Sequence, residues 1–129
     1  MLQQLALFTL VGGAGFLVDA GVLLLLTHVV GMDIYVARVL SWLAAATFTW
    51  WLNRTFTFRD RGAGLLRQWL TFLAANTGGG LINIGLSSAL IASRVTPVAA
   101  LACGALAGLL WNFLASRRFV FGRRASDLE

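Results

Sequence analysis

Lysine is absent: all ten basic residues are arginine, set against five acids, Asp19, Asp33, Asp60, Asp127 and Glu129. Charged residues are only 12% of the chain, about half the roughly 25% of a soluble domain. With 59% apolar residues and a mean hydropathy of +0.82, 129 residues carry far more apolar surface than one core can hide. A soluble enzyme and a disordered regulator are therefore excluded. A single cysteine, Cys103, rules out an intramolecular disulfide and with it a secreted disulfide scaffold. The lone His28 has no Cys/His cluster near it, so neither a metal nor a cofactor is expected. What remains is an all-α integral membrane protein.

A helix crossing a hydrocarbon layer about 30 Å thick needs about 20 apolar residues. Four stretches qualify: Leu5–Val30, Ile34–Leu52, Leu70–Ala92 and Val95–Ala115. The start, Met1-Leu2-Gln3-Gln4, has no basic n-region, so the first run reads as a span and not a cleavable signal. Gly31-Met32-Asp33 and Ser93-Arg94 make tight hairpins, the second reinforced by Pro97 in the first turn of span four. The whole chain, 1–129, reads as a single four-helix transmembrane domain with a polar loop at 53–69 and a tail at 116–129.

The arginines set the orientation. Arg54, Arg59, Arg61, Arg67, Arg117, Arg118, Arg123 and Arg124 fall in the central loop and tail, and only Arg38 and Arg94 fall on the hairpin side. By the positive-inside rule, the loop and both termini are cytoplasmic. Nucleic-acid binding is not expected, because the arginines fall between apolar runs and not along one basic face.

The two hairpins repeat at an offset of 63 residues: Ala37, Ser41, Ala45, Thr49, Asn53 and Arg54 match Ala100, Gly104, Gly108, Asn112, Ser116 and Arg117. Phe56 and Phe58 match Phe119 and Phe121, while spans one and three match with a one-residue slip, Phe8 to Phe72, Gly15 to Gly79 and Asp19 to Asn83. Two spans per repeat give halves that enter the membrane in the same sense, a parallel repeat about an axis along the membrane normal. Ser41 with Ala45, and Gly104 with Gly108, recur every fourth position and form small-residue faces. Such faces serve helix packing inside one subunit or a homodimer contact.

Asp19 lies mid-span, where a carboxylate costs several kcal/mol and must face the protein interior or a wet cavity. Asn76 and Asn83 share a face of span three, and Asn112 lies near the cytoplasmic end of span four. Together these read as a polar seam or as interhelical hydrogen bonds. Arg54 and Arg117, just past two span ends, carry guanidinium forks that suit phosphate oxygens. They bind one lipid phosphate together or contact anionic headgroups without specificity. Phe56-Thr57-Phe58 and Phe119-Val120-Phe121 read as extended interfacial segments.

Phe8-Thr9-Leu10-Val11-Gly12, Asn53-Arg54-Thr55-Phe56-Thr57-Phe58 and Asn112-Phe113-Leu114-Ala115-Ser116-Arg117-Arg118-Phe119-Val120-Phe121 resemble the GtrA-like family of small four-span bacterial membrane proteins. Ser116 stands where that family often has a second asparagine. The resemblance implies translocation of a polyprenyl-phosphate-linked monosaccharide across the inner membrane for cell-surface polysaccharide synthesis, with a polyprenyl-phosphate glycosyltransferase as partner. On that reading Arg54, Arg117 and Arg118 capture the lipid phosphate, and the headgroup follows Asp19, Asn53, Asn76, Asn83 and Asn112. Two other classes compete: a non-transporting scaffold that recruits the glycosyltransferase, and a small multidrug-type antiporter, which the arginine bias disfavours. An enzyme in its own right is not expected, since no paired carboxylates or nucleophile–base set is present.

Overall fold

The computed structural model describes residues 1–122; Arg123, Arg124 and residues 125–129 of the expected tail lie outside the described residues. Four long helices account for most of what is described: α1 Leu2–Leu24, α2 Ile34–Leu52, α3 Leu65–Ala92 and α4 Pro97–Ala115. Three of them run on into a wider π turn, α1 through Leu25–Val29, α2 through Asn53–Thr57 and α4 through Ser116–Val120. The chain divides into two compact units, Met1–Arg61 and Gly62–Glu129, and each is a helix hairpin, α1 on α2 and α3 on α4.

Local chemistry sets the turns. In unit one, Gly31 takes φ +73°, the left-handed conformation that glycine adopts without penalty. The Asp33 carboxylate then caps α2, accepting from the backbone N–H of Tyr35 at 3.0 Å and of Val36 at 3.3 Å. In unit two, Thr96 precedes Pro97 at the first turn of α4, where proline's missing N–H costs nothing.

Two segments differ from their expected form. The polar loop expected at 53–69 contracts to 58–64, because α2 continues through Thr57 and α3 begins at Leu65. Arg67 and Trp69 are therefore helical. Within this extension the Thr55 hydroxyl donates to the Trp51 carbonyl at 2.8 Å, a back-bond of the kind that bends helices. The two Phe-x-Phe segments are not extended but helical, closed by i→i+5 bonds from Phe58 N to Asn53 O at 2.8 Å and from Phe121 N to Ser116 O at 2.9 Å. A π turn inserts one residue, rotating the residues after it by about 100° relative to an α-helix. The outcome is asymmetric within each motif. Phe56 and Phe119 stay exposed, while Phe58 packs edge-on against Phe8 and Phe121 tilts against Phe72, both with ring centroids 6.3 Å apart.

Large apolar side chains lie open along all four helices, among them Leu10, Phe16, Leu17, Leu81 and Leu106. Helical hydroxyls are satisfied without water: Thr9, Thr47, Thr71 and Thr77 each donate to the carbonyl four residues earlier, at 2.7–2.9 Å. That combination suits hydrocarbon, where an unpaired hydroxyl is costly. Leu2–Val29 and Pro97–Val120, with mean hydropathies of 2.0 and 1.9, are each long and apolar enough to cross a membrane. Polar residues dilute the other two helices, Arg38 and Ser41 in α2, Asn76, Thr77 and Asn83 in α3.

Candidate functional site

The cationic ends come first. Arg54 and Arg117 each occupy the second position of a π turn. In unit two, Arg117 and Arg118 line a groove of about 590 Å³ together with Trp111, Leu114, Ala115, Phe119 and Gly122. Trp111, Leu114, Ala115 and Arg118 recur at helical spacing, so the groove runs along one face of α4. Trp111 is held in place by its indole N–H, which donates to the Ala75 carbonyl on α3 at 3.1 Å. In unit one, Arg54 lines a cavity of about 400 Å³ with Thr55, Arg59, Asp60 and Arg61. The basic end of unit two is walled mainly by apolar side chains, whereas Arg54 in unit one is surrounded by polar residues.

Directly behind each arginine lies a buried polar residue, and the two differ. Asn53, 2% exposed, accepts on Oδ1 from the Thr57 hydroxyl at 2.8 Å. At the matching places in unit two stand Ser116 and Val120, and the buried Ser116 hydroxyl has no partner among the described residues. Asn53→Ala should therefore strand the Thr57 hydroxyl and cost about 2 kcal/mol, whereas Ser116→Ala should leave stability unchanged or slightly raised. Unfolding titrations in mixed detergent micelles check the difference; equal losses would refute it.

Asp19 is paired. Its Oδ2 accepts from Arg38 Nη1 at 2.6 Å, and its carboxylate is far more buried than the guanidinium, 16% against 56% exposed. The other carboxylate oxygen, Oδ1, is buried with no partner among the described residues. Arg38 is the functional candidate that the sequence does not single out, because there it reads only as a hairpin-side charge. Its signal is nonetheless present: it is the lone charge within the apolar part of α2, as Asp19 is in α1.

The three asparagines of unit two differ in what they touch. Asn76 Nδ2 donates to the Phe72 carbonyl of its own helix at 2.9 Å. Asn83 abuts the glycine face of α4: a Cβ on Gly104 would lie 2.6 Å from both Asn83 O and Oδ1, and one on Gly108 would lie 3.2 Å from Asn83 Cβ. Asn112 fills the space that a side chain at Gly79 would need, and its buried Oδ1 has no partner among the described residues. Asn83 and Asn112 are thus brought into the α3–α4 contact. Gly104 and Gly108 are buried there against α3, and Ser41 and Ala45 are buried in unit one.

Matched positions make matched contacts. Gly15 takes the Thr49 side chain as Gly79 takes that of Asn112, and Phe8 meets Phe58 as Phe72 meets Phe121. One further residue carries no signal in the sequence: Gln68, nearly buried, reaches the Val120 carbonyl at 3.5 Å.

The profile of the family described as GtrA/DPMS, transmembrane domain, matches residues 7–125. No curated protein matches the chain.

Proposed function

Because the chain belongs to the GtrA/DPMS transmembrane-domain family of glycosyl-lipid and polysaccharide processes, we propose that it carries a polyprenyl-phosphate-linked monosaccharide across the bacterial inner membrane to the outer leaflet. The observation that carries this reading is the unit-two groove. Two guanidinium groups stand at one end of an otherwise apolar trough lined by Trp111, Leu114 and Phe119. A lipid phosphate needs both: forked donors for the oxygens and an apolar wall for the first isoprene units.

On this reading all four helices span the membrane, with the 58–64 loop and both termini cytoplasmic, as the eight-to-two division of arginines favours. The two hairpins are parallel repeats; the matched ring pairs and glycine contacts support that relation. Arg117 and Arg118 capture the phosphate, with Arg54 as their counterpart in unit one. In unit two the sugar then passes Asn76 and Asn112 before the deeper Asn83, and in unit one Asn53 before Asp19, while the prenyl tail stays in lipid. Asn112 Oδ1 and Asp19 Oδ1, both buried acceptors without partners among the described residues, would take its hydroxyls. The chain itself makes and breaks no bond. A polyprenyl-phosphate glycosyltransferase supplies the lipid-linked sugar.

Polyprenyl-phosphate glucose in proteoliposomes tests this. Wild type should equilibrate the lipid between leaflets, and Arg117→Gln/Arg118→Gln should slow it about tenfold or more, since each charged hydrogen bond contributes roughly 1.5–3 kcal/mol. Wild-type movement no faster than in empty liposomes would overturn transport and favour a scaffold that recruits the glycosyltransferase.

A further inference from the structure

We propose that Arg38 is a second lipid-phosphate site, at the end of α2 opposite Arg54, and that Asp19 positions its guanidinium and weakens its grip so that the phosphate is released. The proposal rests on the transport reading above. Arg38 and Arg54 lie sixteen residues apart on one helix, about 24 Å at 1.5 Å per residue, a distance comparable to the hydrocarbon thickness of about 30 Å. A single helix therefore carries an arginine near each of its ends.

The geometry at Arg38 is unlike that of a residue merely marking the surface. Asp19 stands ten residues before α1's π turn ends at Val29, whereas Arg38 stands four residues after α2 begins. At 1.5 Å per residue these are depths of about 15 Å and 6 Å. The ion pair thus draws the guanidinium inward, where an arginine near a helix end would otherwise snorkel out. The pair is also incomplete. One N–H of Arg38 is used, at 2.6 Å, and 56% of the side chain remains exposed. The remaining N–H groups form the fork that a phosphate accepts from.

Packing does not require this pair. At the matching places in unit two stand Asn83 and Leu101, and there Asn83 simply seats against Gly104. The same hairpin is built without charge. In unit one a half-satisfied ion pair is kept in an apolar setting, where charged groups are costly. A carboxylate beside the guanidinium lowers its attraction for a phosphate, which suits a site that must let go.

Arginine footprinting tests the assignment. The full chain in dodecyl maltoside is labelled with phenylglyoxal, and mass spectrometry reads the adduct at each arginine. Geranyl phosphate should protect Arg38, and neither geraniol nor inorganic phosphate should do so at the same concentration. Asp19→Asn should lower the protecting concentration at Arg38 by about tenfold, a change of about 1.4 kcal/mol, while leaving that for Arg117 and Arg118 unchanged. Protection of Arg117 and Arg118 without Arg38 would overturn this site and leave the transport reading standing. Protection of no arginine would overturn both. Protection of Arg38 by inorganic phosphate alone would overturn its assignment to lipid, and an unchanged midpoint in Asp19→Asn would overturn the role of Asp19. The wild-type footprint decides the site even where the variant fails to fold.

Discussion

Gly108→Ile should prevent α3 and α4 from closing. A Cβ at Gly108 would sit 2.7 Å from the Gly79 carbonyl oxygen and 3.2 Å from Asn83 Cβ. The first of these is backbone of a facing helix, so no rotamer change relieves it; the helices themselves must part. Overpacking a core by a few methylene groups costs typically about 1–3 kcal/mol. Here the contact is the small-residue approach that holds helices together in lipid, where no hydrophobic drive between helices compensates. The expected loss is about 4 kcal/mol, a large share of the roughly 5–15 kcal/mol that holds a domain together. Gly80→Ala is the control, since nothing approaches a Cβ there within 4 Å; removing a mid-helix glycine should be neutral or gain about 0.5–1 kcal/mol. Unfolding titrations in mixed micelles, followed by the summed fluorescence of the five tryptophans, Trp111 among them, separate the two. Trp111 is a local reporter because its indole N–H is bound to the α3 backbone. A Gly108→Ile protein as stable as wild type would refute the packing role assigned to this face.

Much of this was legible in the sequence, and the rest was hidden for physical reasons. Helix α2 begins at the expected residue because Asp33 is an N-cap, but it runs past the expected end at Leu52 through the π turn to Thr57. The glycine face of α4 was visible from its four-residue spacing, and it is filled by Asn83, Ser87 and Gly79 of α3. The π turns were not visible. Alternation of Phe with Thr or Val reads as an extended strand, but the ends of these helices still have carbonyls to satisfy, and the i→i+5 bonds do so while turning Phe58 and Phe121 inward. That Ser116 departs from Asn53 was plain in the sequence; what was not is the hydrogen bond behind the difference, which Thr57 supplies to Asn53 and Val120 cannot supply to Ser116. The pairing of Asp19 with Arg38 was hidden because the two sit at different depths when counted from the hairpin. Only the length and direction of the arginine side chain closes that gap.

Arg38→Leu should be strongly destabilising in unit one, and adding Asp19→Asn should repair it. The single change leaves the Asp19 carboxylate, 16% exposed, with neither oxygen paired among the described residues. Breaking a buried ion pair from one side costs roughly 3–5 kcal/mol. Because the guanidinium is 56% exposed, the lower end applies, about 3 kcal/mol. Asp19→Asn/Arg38→Leu installs the residues that unit two already uses at the matching positions, Asn83 and Leu101. The charge is gone, only a neutral amide is left at the buried position, and stability should return to within about 1 kcal/mol of wild type, a coupling of the size seen for contacting residues. Transport should not return with it. Both proposed roles, the phosphate fork and the carboxylate that aims it, have been removed from a hairpin that still folds, so the double variant should equilibrate polyprenyl-phosphate glucose at least tenfold more slowly than wild type. Measuring stability and transport on the same preparations separates the two functions of the pair. A stable double variant that transports at the wild-type rate would reduce Asp19 and Arg38 to a structural tie. A stable variant that does not transport would mean that unit one carries the charge for the lipid's sake and not for the fold's.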